Sequence, residues 1–535
     1  MRLVRASPIA PAILATALCL MASSGAGAQT STHPEAVASQ LSRMDQEVRT
    51  GPYKATWRSL AGYKVPEWFR DAKFGIFIHW GVYSVPAFGT EWYSRNMYVP
   101  GNAAFTYHRN VYGDQSKAGY KDFIPKFTGA KFDPIAWVAL FRKAGARYVV
   151  PVAEHCDGFA MYDSAITRWN AAAMGPKRDV VGEIAGATRA AGLHFGLSSH
   201  RAEHWWWYGP APKNSDVFDP AYADLYGPAA SRTPPGVDPT IEPDPNHLEQ
   251  WLPPSKAFLD DWLARSGEAI EKYNPEFVYM DWWINQPAFT PYLQRLAAYY
   301  YNAAQRRGAG PVLTYKEEAF PAGSALFDME RGRLDALRLL PWQTDTSISI
   351  DSWGFVQDDH FRSADSLIAT LVDVVAKNGN LLLNVGPRAD GSIPEPAQKI
   401  LGQIGDWLSV NGEAIYGTRP WLLFGEGPTR NAVGSLKEGA DPRYTPADIR
   451  FSTKGDTLFA MGLARPSDGA VTIRSLYRGN PYVAPVARVQ LLGSTASVAW
   501  QQGADGLHVR IPVGTPATPY ALRITFARPA SAGEL

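Results

Sequence analysis

Between residues 73 and 385 the chain repeats one arrangement seven times. A short apolar, strand-forming run ends in a charged or aromatic residue, and most runs are separated by helix-period segments. The runs are Lys73–Gly81, Tyr148–Ala153, His194–Ser199, Phe277–Met280, Pro311–Tyr315, Ala325–Glu330 and Asn380–Val385. They are continuously apolar rather than alternating, the pattern of strands buried on both faces in a parallel sheet. Helices are predicted at Asp133–Pro134 onward, Val180–Ala191, Lys256–Tyr273, Pro291–Arg307, Ser366–Lys377 and Glu395–Val410. In the first, Asp133 is the cap, Pro134 the opening residue, and Ile135, Val138, Leu140 and Phe141 the apolar face, with Gly145 ending it. Strand and helix in alternation give a (β/α)8-like TIM barrel or an open doubly wound sheet. So many successive strands with polar ends favour the closed ring, where all of them converge on one mouth.

The 535 residues exceed what one core organises, so a second domain is expected. After about Trp421 short alternating runs appear: Ile449–Ser452, Thr457–Met461, Ala470–Ile473, Val489–Leu492, Leu507–Ile511 and Ala521–Phe526. Turn residues separate them, which predicts an antiparallel β-sandwich of six to eight strands. At the other end, Arg2 and Arg5, the apolar Ile9–Met21 and the small residues Ala26-Gly27-Ala28 before Gln29 compose a cleavable export signal. The expected plan is a signal peptide over 1–28, the barrel over 29–421 and the sandwich over 422–535, in a periplasmic or secreted protein. Residues 29–55 are a polar, helix-prone leading arm, and the Pro-rich stretch Gly209–Ser255 is an ordered lid.

Several function classes drop out. Lys+Arg and Asp+Glu number 52 and 51, so nothing favours a nucleic-acid partner. No later apolar run is long enough to span a membrane. Cys19 leaves with the signal, and Leu18 before it is not the small residue that lipid attachment needs. Cys156 then remains alone, so no intrachain disulfide forms. No Cys/His cluster has metal-ligand spacing and no glycine-rich phosphate loop is present, so neither metal nor cofactor is expected. The oligomeric state is left open, a homo-oligomer included.

The strand ends collect His79, His155, His200, Asp281, Lys316 and Glu330, with Glu91 on a nearby loop. Carboxylates with imidazoles and abundant tryptophan suit glycoside hydrolysis, in which one carboxylate attacks or activates water and the other protonates the leaving oxygen. The two need separate environments because their pKa values must differ. Trp92, Trp282 and Trp342 are the aromatics expected against the sugar, whose apolar face suits a flat indole. The plainer readings are a helix cap for Asp281, a core histidine for His79 and a surface carboxylate for Glu91.

These stretches resemble the retaining α-L-fucosidases of glycoside hydrolase family 29. The resemblance rests on Phe74–Gly81 (FGIFIHWG), Glu91-Trp92-Tyr93, His155–Phe159 (HCDGF), Asp281, Thr346–Phe355 (TSISIDSWGF), Asn378–Pro387 (NGNLLLNVGP) and Asn411–Pro420 (NGEAIYGTRP), spanning residues 60–421. It implies a terminal α-L-fucosyl residue on an oligosaccharide or glycoconjugate as substrate, with Asp281 as nucleophile. It places His79, His155 and Glu91 around the sugar. Glu330, ending a strand twelve residues before Trp342, is the acid/base, with Glu317 and Glu318 as alternatives.

The chain also departs from the family. Cys156 stands where a second histidine is usual and Glu154 where a basic residue is. Ser198-Ser199 replace tyrosine, Lys316 stands near a common arginine, and Gln343 replaces a glutamate. His204 and Trp205–Trp207 either shape the subsite for the leaving sugar or pack the loop. Besides an exo-α-L-fucosidase, the sequence leaves open a related exo-glycosidase such as an α-L-galactosidase, and a secreted sugar-binding protein with an inactive site.

Overall fold

The computed structural model describes residues 33–234, 236, 251–439, 442–512 and 519–527. The export signal expected over 1–28 lies outside them. Eight parallel strands close into a barrel in chain order: β1 Phe74–Ile78, β2 Tyr148–Glu154, β3 His194–Ser199, β4 Phe277–Met280, β5 Val312–Tyr315, β6 Leu326–Glu330, β7 Trp342–Ser347 and β8 Gly379–Val385. β8 pairs back onto β1 from Phe74↔Leu381 to Ile78↔Val385, so no sheet edge remains. Seven of these strands answer to the apolar runs; β7, with the sequence WQTDTS, does not.

A cluster containing Phe77, Tyr148, Val150, Phe277, Tyr279, Val312 and Leu382 packs the strands together. β1 and β2 approach so closely that a Cβ on Gly75 would lie 2.4 Å from the Tyr148 ring. That ring reaches across to Gln343, with its hydroxyl 3.0 Å from Oε1, and a side chain at position 75 would push it aside.

Helices lie where the periodicity puts them, within two residues at each end. Asp133 caps the helix Pro134–Lys143 by accepting from the Ile135 and Ala136 amides, each at 3.0 Å. Its buried face differs from the expected one. Trp137, Val138 and Phe141 are buried, while Ile135 is 74% exposed in the first turn. The leading arm forms the helix Pro34–Thr50, packed on Lys256–Tyr273 and Thr290–Arg306.

Among the described residues the carboxyl-terminal part holds eight antiparallel strands in two sheets. These are β9 Gly425–Glu426, β10 Ile449–Lys454, β11 Thr457–Gly462, β12 Ala470–Ile473, β13 Val486–Leu491, β14 Ala499–Gln502, β15 Leu507–Arg510 and β16 Tyr520–Phe526. One sheet runs β13-β16-β11-β10-β9 and the other β12-β15-β14, around a core that includes Phe451, Val471, Leu507 and Ile524. This unit docks on the barrel through a buried charge contact: Arg450 Nε lies 2.6 Å from Asp373 Oδ1 on the helix Ala364–Ala376. Among the described residues no helix is long and apolar enough to cross a membrane.

Candidate active site

At the carboxyl ends of the barrel strands a cavity of about 580 Å³ opens. Asp281 follows β4 directly, Glu330 ends β6, and His79 and His155 follow β1 and β2. All four line the cavity together with His200, Glu91, Trp92 and Trp282. Eight of the ten residues singled out from the sequence therefore meet in one place.

Asp281 is held by His200, whose Nδ1 lies 2.6 Å from Oδ2. Burial alone would push the Asp281 carboxyl up, but His200 and the Lys316 ammonium overcome it and hold the pKa at about 2. Glu330 is shifted the other way. Burial raises it, the Asp281 charge adds to the rise, and Lys316 at 3.1 Å and the Trp282 indole N–H only partly offset this. One cavity thus contains an anionic carboxylate and a carboxyl group biased toward its neutral form.

His79 is locked by Asn384. The amide Nδ2 donates to the Trp353 carbonyl at 2.7 Å, so Oδ1 must face His79, where it accepts from Nδ1 at 2.8 Å and from the backbone N–H at 3.1 Å. Burial and the neighbouring His200 keep this imidazole neutral, well below its ordinary range. Its Nε2 is therefore a lone-pair acceptor. His155 stacks on His200 with ring centroids 5.0 Å apart, and its buried Nδ1 has no partner among the described residues. Glu91 accepts from the Ser352 hydroxyl and the Trp353 amide through Oε2, each at 2.9 Å. Both contacts use one oxygen, leaving the other available to a ligand.

Ring nitrogens of His79, His155 and His200 lie within 4.8 Å of one another, a spacing invisible in the sequence because three separate strands bring them together. The Nδ1 and Nε2 of His200 are already engaged by Asp281 and by Ser198 Oγ at 3.0 Å. What remains free suits hydroxyl groups better than a complete metal shell.

Two expected sugar contacts fall elsewhere. Trp342 opens β7, at the end of the barrel remote from the cavity, and is fully buried with its indole donating to the Lys377 carbonyl at 2.8 Å. Lys316 does not line the cavity. It lies beneath it, 2.9 Å from Asp328, 3.1 Å from Glu330 and 3.7 Å from Asp345. Glu317 and Glu318 are exposed and border a different depression with Trp57 and Phe320. Of the cluster at 204–207, Trp207 donates to Ser94 Oγ at 2.9 Å and His204 pairs with the Cys156 carbonyl at 2.8 Å. None of the four lines the cavity, so they pack the loop behind it. Cys156 does line it, but burial and Glu203 push its thiol well above the ordinary range, leaving it inert.

The cavity also contains residues that sequence reasoning missed: Asp345, Trp353, Arg331, Trp251 and Leu436. Asp345 accepts from the Tyr279 hydroxyl at 2.6 Å. Burial and Asp328 raise its pKa well above the aspartate range, against the pull of Lys316. Trp353 lies inside the TSISIDSWGF stretch, which was a signal; Trp251 and Leu436 come from loops with no pattern to read.

The sequence profile of α-L-fucosidases matches residues 40–413. The tissue α-L-fucosidase of Rattus norvegicus is 30% identical over 473 residues, covering 87% of this chain and 90% of the rat protein. The plasma α-L-fucosidase of Homo sapiens is 31% identical over 478 residues, covering 86% and 88%. Among solved structures, the Thermotoga maritima α-fucosidase in complex with fucose superposes with a TM-score of 0.68 at 29% identity, covering 88% of this chain and 99% of that one. With the fold, the paired carboxyls and these matches in agreement, the chain belongs to the α-L-fucosidase family of glycoside hydrolases.

Proposed function

We propose that this enzyme removes terminal α-L-fucosyl residues from glycans with retention, using Asp281 as nucleophile and Glu330 as acid/base. The observation that carries the reading is the opposed tuning of the two carboxyls in one cavity. His200 occupies Oδ2 of Asp281, leaving Oδ1 to attack the anomeric carbon. As the Oδ1–carbon bond forms, the bond from that carbon to the leaving oxygen breaks, and Glu330 gives that oxygen its proton. Esterification removes the Asp281 charge, so Glu330 becomes more acidic and is ready to accept a proton. Water then attacks the same carbon, passes a proton to Glu330 and releases the Asp281 carboxylate.

His79 Nε2, His155 and the free oxygen of Glu91 accept or donate to the sugar hydroxyls. The indole faces of Trp92, Trp282 and Trp353 offer apolar walls for the methyl and C–H face of a 6-deoxy sugar. Proton NMR of an aryl α-L-fucoside reaction should show the α anomer as first product. A first-formed β anomer would overturn the mechanism. Absence of any turnover would leave only a sugar-binding role, and a preference for the matching α-L-galactoside would move the substrate assignment.

Export accompanies this reading, supported by the charged, apolar and small-residue segments before Gln29. Mass spectrometry of protein recovered outside the cytoplasm should give Gln29 as the first residue.

A further inference from the structure

The loop between β9 and β10 of the carboxyl-terminal unit reaches back to the barrel and brings Leu436 into the lining of the cavity. Residues 434–438 run beside residues 330–333 at the end of β6, with an antiparallel bridge at Gly434↔Arg333. Gly434 N–H donates to the Arg333 carbonyl at 3.1 Å, Leu436 N–H to the Glu330 carbonyl at 2.8 Å and Glu438 N–H to the Arg331 carbonyl at 2.9 Å. The strap lies so close that a Cβ on Gly332 would come within 2.5 Å of the Gly434 carbonyl oxygen. Its far end is pinned by the buried Glu438 carboxylate, which accepts from Thr346 Oγ1 at 2.6 Å and pairs with Arg362 at 3.0 Å.

At the centre of this strap sits Leu436. It lines the cavity, is 60% exposed, and has a backbone φ of +57°, a left-handed conformation that leucine adopts only under constraint. An exposed apolar side chain held in a costly conformation gains nothing from the fold itself. Ile350, 50% exposed, also lines the cavity. The backbone partner of Leu436 is Glu330, the group that protonates the leaving oxygen.

We infer that Leu436, carried by the strap, is a specificity residue for the leaving group: with Ile350 it forms an apolar contact for an aglycone that presents a C–H or aromatic face, such as a second pyranose ring. The inference rests on the acid/base role of Glu330, which places the leaving group on this side of the cavity. A leaving group too small to reach the strap makes no use of the contact.

The test compares Leu436→Ala and Leu436→Gly with the wild type on two substrates, α-L-fucosyl fluoride and a fucosyl disaccharide. Loss of one apolar contact should lower kcat/KM for the disaccharide about 10-fold. The fluoride, which also reports that the variants are folded, should stay within about twofold of wild type on the same scale. Equal losses on both substrates, or disaccharide kinetics unchanged from wild type, would overturn the role of Leu436. The underlying role of Glu330 is tested separately by Glu330→Ala. That variant should depress kcat/KM for the disaccharide and spare the fluoride; if it depresses both alike, the acid assignment fails whatever Leu436 does.

Discussion

His200 Nδ1 lies 2.6 Å from Asp281 Oδ2, while its Nε2 lies 3.0 Å from Ser198 Oγ. The imidazole is thus fixed at both nitrogens and fixes the carboxylate in turn. It also contributes the largest of the attractions that hold Asp281 down. His200→Ala should therefore do two things. Misaiming the nucleophile should cost kcat roughly 10²-fold. The acid limb of the kcat/KM profile should move to higher pH, because Asp281 loses the partner that lowers its pKa. A slower variant with an unmoved acid limb would show that His200 orients the carboxylate without tuning it.

Glu330 should reveal its role through the leaving group. Glu330→Ala should slow substrates with poor leaving groups by ~10²–10⁴-fold and activated aryl fucosides much less, since only the former need protonation. Azide should restore turnover by attacking the glycosyl-enzyme. Glu317→Ala and Glu318→Ala should behave as wild type, because both side chains point into another depression.

Stability near the site depends on a buried square of charge. Arg201 pairs with Glu154 and, at 2.6 Å, with Asp261; Arg265 reaches both acids at 3.1 Å. Each side chain is 4% exposed or less. Asp261→Ala leaves two buried guanidinium groups sharing one carboxylate and should cost about 3–5 kcal/mol. Denaturant unfolding measures it, and a loss below 1 kcal/mol would mean water takes the place of the carboxylate.

Asp345 predicts a pH effect on stability. Its carboxyl is raised in the folded chain by burial and Asp328, and Lys316 only partly counters this. The folded state therefore binds this proton more tightly than the unfolded state does. The stabilising contribution is complete below the ordinary aspartate range and is lost as pH rises toward the elevated folded value. Asn cannot lose the proton, so Asp345→Asn should flatten the fall in Tm as pH rises above the ordinary aspartate range. A slope identical to wild type would place the proton elsewhere in the Lys316 cluster.

The strands that were legible are those whose burial is achieved with apolar side chains. β7 is also fully buried, yet it is built from Gln343, Thr344, Asp345, Thr346 and Ser347. Each finds a partner from outside the strand or across the barrel. Gln343 contacts Tyr148 and Asp328, Thr344 the Met329 and Gly332 carbonyls, Asp345 the Tyr279 hydroxyl and Thr346 Glu438. Such partners cannot be read from local pattern, and a polar strand of this kind is where local rules give way to the needs of a site. For the same reason Asp345 escaped notice while Asp281, at the end of an apolar run, did not. Trp342 was misplaced because spacing along the chain carried no information about which end of the strand it occupied.

The strap changes what counts as a separable part. Ending the chain after Pro420 would keep all eight barrel strands and every carboxylate that does chemistry. It would also uncover the backbone carbonyls of Glu330, Arg331 and Arg333 and remove the acid that pairs with Arg362. The two units therefore cannot be traded as independent cassettes: grafting a foreign sandwich onto this barrel means rewriting one wall of the active site, and recombination at this junction alters substrate choice along with architecture.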